Sequence, residues 1–400
     1  MSGSGKKTFV GFGFGPIQSG LFLYEAYASG NFERFVVAEV DSALVKAVRD
    51  NAGRCDVNIA RRAAVAEADE LATTLPSVRF YDVGKDTSVA GMIAQGLSRR
   101  PAPLPTVLYA AENHNHAAER LREDVFKHAA PAALQGVQML NTVIGKMSGV
   151  ITDSEAVARL GLATMTPRLP RAVLVEEFNR ILISRVALPG FRRGIDVFIE
   201  KDDLLPFEEA KLYGHNAIHA MMGYLAEWRG LAVMAQVAGD AWILEHARRA
   251  FIEESGGALI RKYRGLNDPL FTEAGYRDYA DDLLARMVNP NLNDLVERVG
   301  RDPARKLAYD DRLFGTMRLA LHYGIEPTHL ALGAAAGVLS LIARQAALKT
   351  PIPSLPPTAA SLTPVALRAV LLHLWQGHAD AHTDRLIQLT WDALQSLRQK

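Results

Sequence analysis

The chain is almost without cysteine. Cys55 is the single one in 400 residues, so neither an intrachain disulfide nor a zinc cluster built on thiolates can form. That usage fits a reducing compartment, and a cytoplasmic location is expected. An excess of charge is also missing: 45 Lys and Arg against 44 Asp and Glu leave a formal net charge of +1. Without a basic surplus there is no electrostatic footprint for nucleic acid or for an anionic membrane, although a small anionic substrate stays open. Long apolar runs are lacking too. The most apolar stretch, Leu330 to Ala343, ends at Arg344 and falls short of the ~20 residues a membrane span requires, so it is predicted as a buried helix. Lys6 and Lys7 precede an apolar Phe9 to Phe14, but Gly11, Gly13 and Gly15 interrupt the run and Gln18 turns it polar, which argues against an export signal. No internal repeat or low-complexity run is evident.

What is present is enough chain for two cores. Thr8 to Phe12 is a short β-type run that feeds Gly13-Phe14-Gly15-Pro16-Ile17-Gln18-Ser19-Gly20, after which Leu21 to Ala28 reads as helix. A strand, a glycine turn and a helix N-terminus in that order suit a pyrophosphate. The glycines permit the tight turn and a close backbone approach, and the helix end favours negative charge. Gln18 stands where the third fingerprint glycine would be, with Gly20 two residues on. A second strand, Phe35 to Val40, ends near Glu39, where a dinucleotide fold places the acid that holds the adenosine ribose hydroxyls. A carboxylate there repels a 2′-phosphate, so NAD is expected over NADP. The candidate cofactor residues are Gly13, Phe14, Gly15, Ile17, Gln18, Gly20, Glu39 and Asn113; the competing reading is a purely structural turn.

Ser42 to Asp50 is predicted as helix, Ser77 to Tyr81 as strand, Ser88 to Ser98 as helix, and Thr106 to Ala111 and Val137 to Ile144 as strands. Leu174 to Ser184 reads equally as helix or buried strand. Strands alternating with helices imply a mostly parallel sheet covered on both faces. The strand at 106 runs into Glu112-Asn113-His114-Asn115-His116, where polar residues past a strand's C-terminal end meet ligands in open α/β sheets. The alternation of Glu112, His114 and His116 raises a metal site, but no His or Asp cluster follows at ligand spacing, so no metal is expected. From Pro206 onward the pattern is long helical segments. The fold class expected is therefore an α/β, Rossmann-type dinucleotide-binding domain over residues 1–205 and a mostly α-helical domain over 206–400.

Within the second half, Glu208 to Gly223 concentrates polar chemistry in a predicted helix. Pro206 suits its first position, Glu208 and Glu209 its positive end, and Gly230 its stop. Lys211, His215 and His219 recur every four residues and share a face, and Asn216 neighbours His219 at three. Lys211 and Asn216 are about 140° apart on an ideal α-helix, so both reach one ligand only through the long lysine side chain or a widened turn. On spacing alone, a solvated polar face explains the pattern as well as an active site does.

Taken together, these motifs resemble the polyol-specific long-chain dehydrogenases, the mannitol dehydrogenase family. The resemblance runs from about Phe9 to Ile342 and is most specific in K-x-x-x-x-N-x-x-H, here Lys211, Asn216 and His219, followed by Ala220 and Gly223. Glu39 with its flanking residues, Glu112-Asn113, Asn141-Thr142-Val143, the Asn289-Pro290 to Asp294 stretch, Arg298-Val299 and the basic run from Arg301 to Arg312 add further matches in order. Gly145-Lys146-Met147 departs from the family's D-R-I. The resemblance implies an NAD-dependent oxidoreductase that uses no metal, with Lys211 as general acid/base and Asn216, His219 and Asn113 in support. Glu208 would relay protons, and His215 receives no role. It further implies a small polyol or sugar-phosphate partner, with interconversion of mannitol 1-phosphate and fructose 6-phosphate expected. An unphosphorylated polyol or hexuronate is the alternative substrate, and a non-catalytic NAD-binding sensor the alternative of another class. Arg301, Arg305, Lys306 and Arg312 offer charge for a phosphate, but a basic helix is ordinarily a solvated one. Oligomeric state is not legible.

Overall fold

The computed structural model describes residues 7–399 apart from 51–64, 66, 85–86, 101, 103, 168, 170, 177–180 and 349, so Lys6 and Cys55 lie outside the described residues. It divides into two compact units, residues 1–205 and 206–400.

The first unit is built on β1 (Lys7–Phe12), β2 (Phe32–Ala38), β3 (Glu70–Thr73), β4 (Thr106–Ala110), β5 (Val137–Val143), β6 (Ser148–Ile151), β7 (Ala172–Val175), β8 (Ile181–Ser184) and β9 (Phe198–Lys201). Seven of these form one sheet in the order β2-β1-β3-β4-β5-β8-β9, parallel from β2 through β5, with β8 joined antiparallel to β5; β6 and β7 pair separately. Because β1 lies between β2 and β3, the chain leaves it to one side and returns on the other. That reversal opens a crevice at the strands' C-terminal ends. Alternate side chains serve the two faces. Val10, Phe12, Leu71 and Leu108 pack with residues of the helices Val89–Ser98 and Ala117–Phe126, while Phe9, Phe22, Tyr109 and Phe198 form an aromatic cluster on the opposite side.

Two sequence expectations fail here. The strand predicted at Ser77 to Tyr81 is a 3₁₀ turn, Val78–Phe80, capped by the Ser77 side chain, and the strand of that region is β3 instead. Alternation of Val78, Phe80 and their neighbours imitates a half-buried strand, yet Phe80 is 40% exposed, whereas all four residues of β3 are buried. The second strand also ends earlier than expected, at Ala38. The Glu39 carboxylate accepts from the N–H groups of Val40 and Asp41, which turns the chain away from the sheet. The ambiguous Leu174 to Ser184 contains the end of β7 and all of β8, with 177–180 outside the described residues.

The second unit is helical. Leu205–Glu209, Ala210–Asn216 and Ala217–Trp228 run on continuously, and the last of these packs along Thr328–Ala343, whose nearly uniform burial agrees with the absence of any helix long and apolar enough to cross a membrane among the described residues. Gly223 is required by close approach: a Cβ there would lie 2.5 Å from Val299 Cγ1.

Candidate functional site

In the first unit the glycine turn follows β1 at the point of reversal. Gly13 has φ +85°, a conformation that costs L-residues with a side chain. Its N–H donates to Ala38 O at 2.8 Å, and the Phe14 N–H donates to Glu39 Oε2 at 2.6 Å, so the acid at the end of β2 is fastened to the turn. A Cβ added to Gly15 would meet nothing, which leaves one side of the turn open. Phe14 and Ile17 turn their side chains toward apolar clusters, the former against Val37, Leu44, Val45 and Val48, so only their main chains remain for a ligand.

Gln18 is fully buried, and among the described residues neither oxygen nor nitrogen of its amide has a hydrogen-bond partner. It occupies the space beside β1 that a side chain at Gly11 would fill: a Cβ on Gly11 would sit 2.1 Å from Gln18 Nε2. The small residue that a fingerprint glycine normally supplies on the helix stands here on the strand. Gly20 has its own close contact, with Val175 Cγ1 2.6 Å from where its Cβ would be.

Past β4, Glu112 is buried and accepts from Thr73 Oγ1 (2.9 Å), the Leu75 N–H (2.7 Å) and the Tyr81 hydroxyl. Burial raises its pKa, and burial together with the Glu112 charge raises that of Tyr81. This carboxylate is committed to tying β3, β4 and the 3₁₀ turn together. Asn113, the next residue, is exposed. Among the described residues no group of three or more His, Cys, Asp or Glu is arranged to hold a metal. Asn141 caps the helix Ala117–Phe126, accepting from the Ala118 N–H at 2.8 Å and donating to Glu119.

In the second unit Lys211 and Asn216 lie on a π-helical turn, Ala210–Asn216. Its i→i+5 hydrogen bonds widen the helix to about 4.4 residues per turn, so a five-residue separation falls from about 140° to about 50°. The two side chains thereby come to one face. Lys211 is half-buried; burial first, then the nearby Arg312 guanidinium, lowers its pKa to about 8 against the opposing pull of Glu208. His215 is buried with its ring 6.0 Å from that of His219, and burial, His219 and Lys211 keep it well below the usual imidazole range. A neutral ring beside the lysine adds no charge to the site.

His219 has a partner that spacing did not reveal. Its Nε2 lies 3.3 Å from Asp294 Oδ2, off the axis of an in-line hydrogen bond, and Arg298 donates to Asp294 Oδ1 at 2.7 Å. Burial raises the Asp294 carboxyl, but the His219 and Arg298 side chains outweigh it and hold the group at about 2. Lys306 and Arg312, read from sequence as members of a solvated basic helix, are buried, while Arg301 and Arg305 are exposed. The Lys306 ammonium donates to Val299 O and lies 5.8 Å from the Tyr224 ring; burial, then Arg312, lowers its pKa to about 7. Arg312 is paired with Asp311 at 2.7 Å. Asp294 and Arg298 had one visible signal, an acid and a base at i, i+4; burial of Lys306 and Arg312 had none.

Residues 203–343 match the mannitol dehydrogenase C-terminal domain. The chain is similar to mannitol-1-phosphate 5-dehydrogenase of Shouchella clausii (strain KSM-K16), 32% identical over 269 residues, covering 67% of this chain and 66% of that relative. It is 37% identical over 164 residues to the enzyme of the same name from Halalkalibacterium halodurans, covering 41% of this chain and 42% of the relative. The chain thus spans no more than about two thirds of these relatives' length in the matched regions. Two solved structures share the fold: Pseudomonas fluorescens mannitol 2-dehydrogenase in complex with NAD and D-mannitol (TM-score 0.69, 18% identity, 98% of this chain and 92% of that one), and a D-sorbitol dehydrogenase (TM-score 0.74, 16% identity, 98% and 93%). On these matches the chain belongs to the mannitol dehydrogenase family.

Proposed function

We propose that the chain is an NAD-dependent oxidoreductase that interconverts mannitol 1-phosphate and fructose 6-phosphate. The observation that carries the reading is Lys211: a lysine brought to about 8, on a widened turn that gathers Asn216 to its own face. Oxidising a secondary alcohol needs a base at the hydroxyl, and lysine serves once its pKa approaches neutrality. Lys211 takes the hydroxyl proton and, in the reverse direction, returns it to the alkoxide. Asn216 donates a hydrogen bond to the developing oxyanion, a role worth about 3 to 4 kcal/mol per donor in preorganised sites. Glu208, whose charge favours the ammonium, passes protons onward.

NAD, when bound, would supply the hydride acceptor. The turn fits it: Gly13 in a left-handed conformation, an open side at Gly15, and Glu39 tied to the turn where a ribose would be held. Main-chain atoms of Gly13 to Ile17 and the Glu39 carboxylate would bind it, with Gln18 and Gly20 shaping the turn. The phosphorylated substrate is supported by the relatives' activity and by the buried Lys306 and Arg312, with the Arg312 charge repelling both Lys306 and Lys211 and lowering their pKa values. An anion relieves that repulsion. The test is NADH oxidation with fructose 6-phosphate, fructose, tagaturonate and fructuronate in parallel. Fructose 6-phosphate should lead by at least about tenfold in kcat/KM; oxidation with none of the four would favour a non-catalytic NAD-binding protein.

A further inference from the structure

The environment of His219 reaches beyond a general supporting role. Asp294 is 6% exposed at its side chain and stays ionised, and a carboxylate only accepts hydrogen bonds. Arg298 occupies its Oδ1, leaving Oδ2 for the His219 ring 3.3 Å away. The loop that carries Asp294 is itself fixed. Met234 N–H donates to Asp294 O at 2.8 Å, Val296 N–H to Ala232 O at 3.0 Å, and Val233 bridges to Leu295. His219 Nε2 is fully enclosed and makes no in-line hydrogen bond among the described residues, and a proton on it has Asp294 Oδ2, 3.3 Å away, as its acceptor. A small rotation of the ring brings that proton into line.

We propose, on the reading of the reaction given above, that Asp294 is a positioning residue that fixes His219 as the Nε2–H tautomer, so that Nδ1 presents a lone pair and takes a hydrogen bond from one substrate hydroxyl. The imidazole is then an acceptor in the substrate complex, and Arg298 acts by holding Asp294 in place. A neutral acceptor selects a hydroxyl and gives nothing to a carboxylate or phosphate oxygen, which has no proton to offer. Specificity at this position is therefore for a polyol carbon bearing OH, while the anion is met elsewhere by Lys306 and Arg312.

The test has two parts. Long-range ¹H–¹⁵N spectra of the histidine-labelled protein, with His219 assigned by its absence in His219→Gln, read the tautomer without any substrate. The expected result is Nε2–H in the unmutated chain and its loss in Asp294→Asn; Nδ1–H in the unmutated chain overturns the proposal. Steady-state kinetics with whichever ketose the panel shows to be reduced, and with analogues each lacking one hydroxyl, read the hydrogen bond. Asp294→Asn should lower kcat/KM on the intact substrate by about 10- to 100-fold, mostly through KM, while one deoxygenated analogue is handled about equally by both proteins. Equal losses on every analogue would mean that Asp294 is merely structural. If no ketose is reduced, the proposed reaction fails, and the tautomer measurement still decides the positioning role.

Discussion

Removing the Arg312 charge should move the pH dependence of catalysis without touching the lysine itself. In the unmutated chain, burial and then Arg312 bring Lys211 from 10.5 to about 8. At pH 7 that leaves about a tenth of the lysine as free base, roughly 300-fold more than an unperturbed side chain would provide. Polyol oxidation needs the free amine, so log kcat/KM should rise with a slope of about 1 toward pH 8 and then level. Ketose reduction needs the ammonium and should decline above the same value. Arg312→Gln removes the second-largest cause of the depression and leaves burial and Glu208, so the Lys211 pKa must rise. The oxidation limb shifts to higher pH, and activity at pH 7 falls by severalfold to tenfold, with recovery at pH 9.5 or above. The assay is kcat/KM for oxidation from pH 6 to 10.5, with NADH affinity measured in parallel by fluorescence. An unshifted limb in Arg312→Gln would refute the electrostatic argument. A limb that persists in Lys211→Met would show that another group titrates.

Lys211→Ala itself should lower turnover by roughly 10²- to 10⁴-fold with NADH binding intact, which single-turnover and binding measurements separate. Glu39→Ala loses the acceptor of the Phe14 N–H as well as the ribose contact, so KM for NAD should rise and the NAD to NADP ratio of kcat/KM should shrink; unchanged discrimination would contradict the role given to that acid. Gly11→Ala forces the new methyl onto the Gln18 amide and should destabilise by about 1 to 3 kcal/mol in denaturant unfolding, with Gln18→Ala in the same chain restoring most of it; strictly additive losses would mean the two do not share one space. EDTA should leave activity unchanged, and a loss restored by a divalent cation would require a metal in the mechanism.

Much of the first unit was legible because its elements are local. Alternating apolar residues mark β1, β4 and β5, and Gly13 with Glu39 marks the turn. β3 was not, since Glu70-Leu71-Ala72-Thr73 is short, carries no strong strand signal and is specified by burial between β1 and β4. Glu70 itself lies buried, held by Lys7 and the Tyr109 hydroxyl, contacts from residues distant in the chain. Gln18 was visible as a departure from the fingerprint, but its compensation by Gly11 depends on which side chain fills a shared volume, and sequence order does not carry that.

The lysine helix shows where pattern reading reaches its limit. With ideal α-helical geometry, Lys211 and Asn216 diverge, and the polar-face explanation competes on equal terms. The π turn removes that conflict, but it exists because Ala210–Asn216 trades the better i→i+4 hydrogen bonds for i→i+5 ones within a helix otherwise regular from Ala217 to Trp228. A turn of this kind is retained when something else gains from it. Here the gain is register: Lys211 and Asn216 share a face while His219, in the α-helical segment beyond, is directed to Asp294. Inserting one residue between Lys211 and Asn216 would rotate Lys211 by about 80 to 100° relative to His219, whereas deleting one lets the turn relax to α-helix with a phase change of only about 10°, because four α-helical steps nearly match five π-helical ones. After the insertion the lysine no longer shares a face with the asparagine and histidine, whereas after the deletion all three still do and the turn regains i→i+4 hydrogen bonds. A one-residue insertion in that turn should therefore abolish turnover while a one-residue deletion retains it, and equal effects of the two on turnover would mean that the register of Lys211 is not what the turn provides.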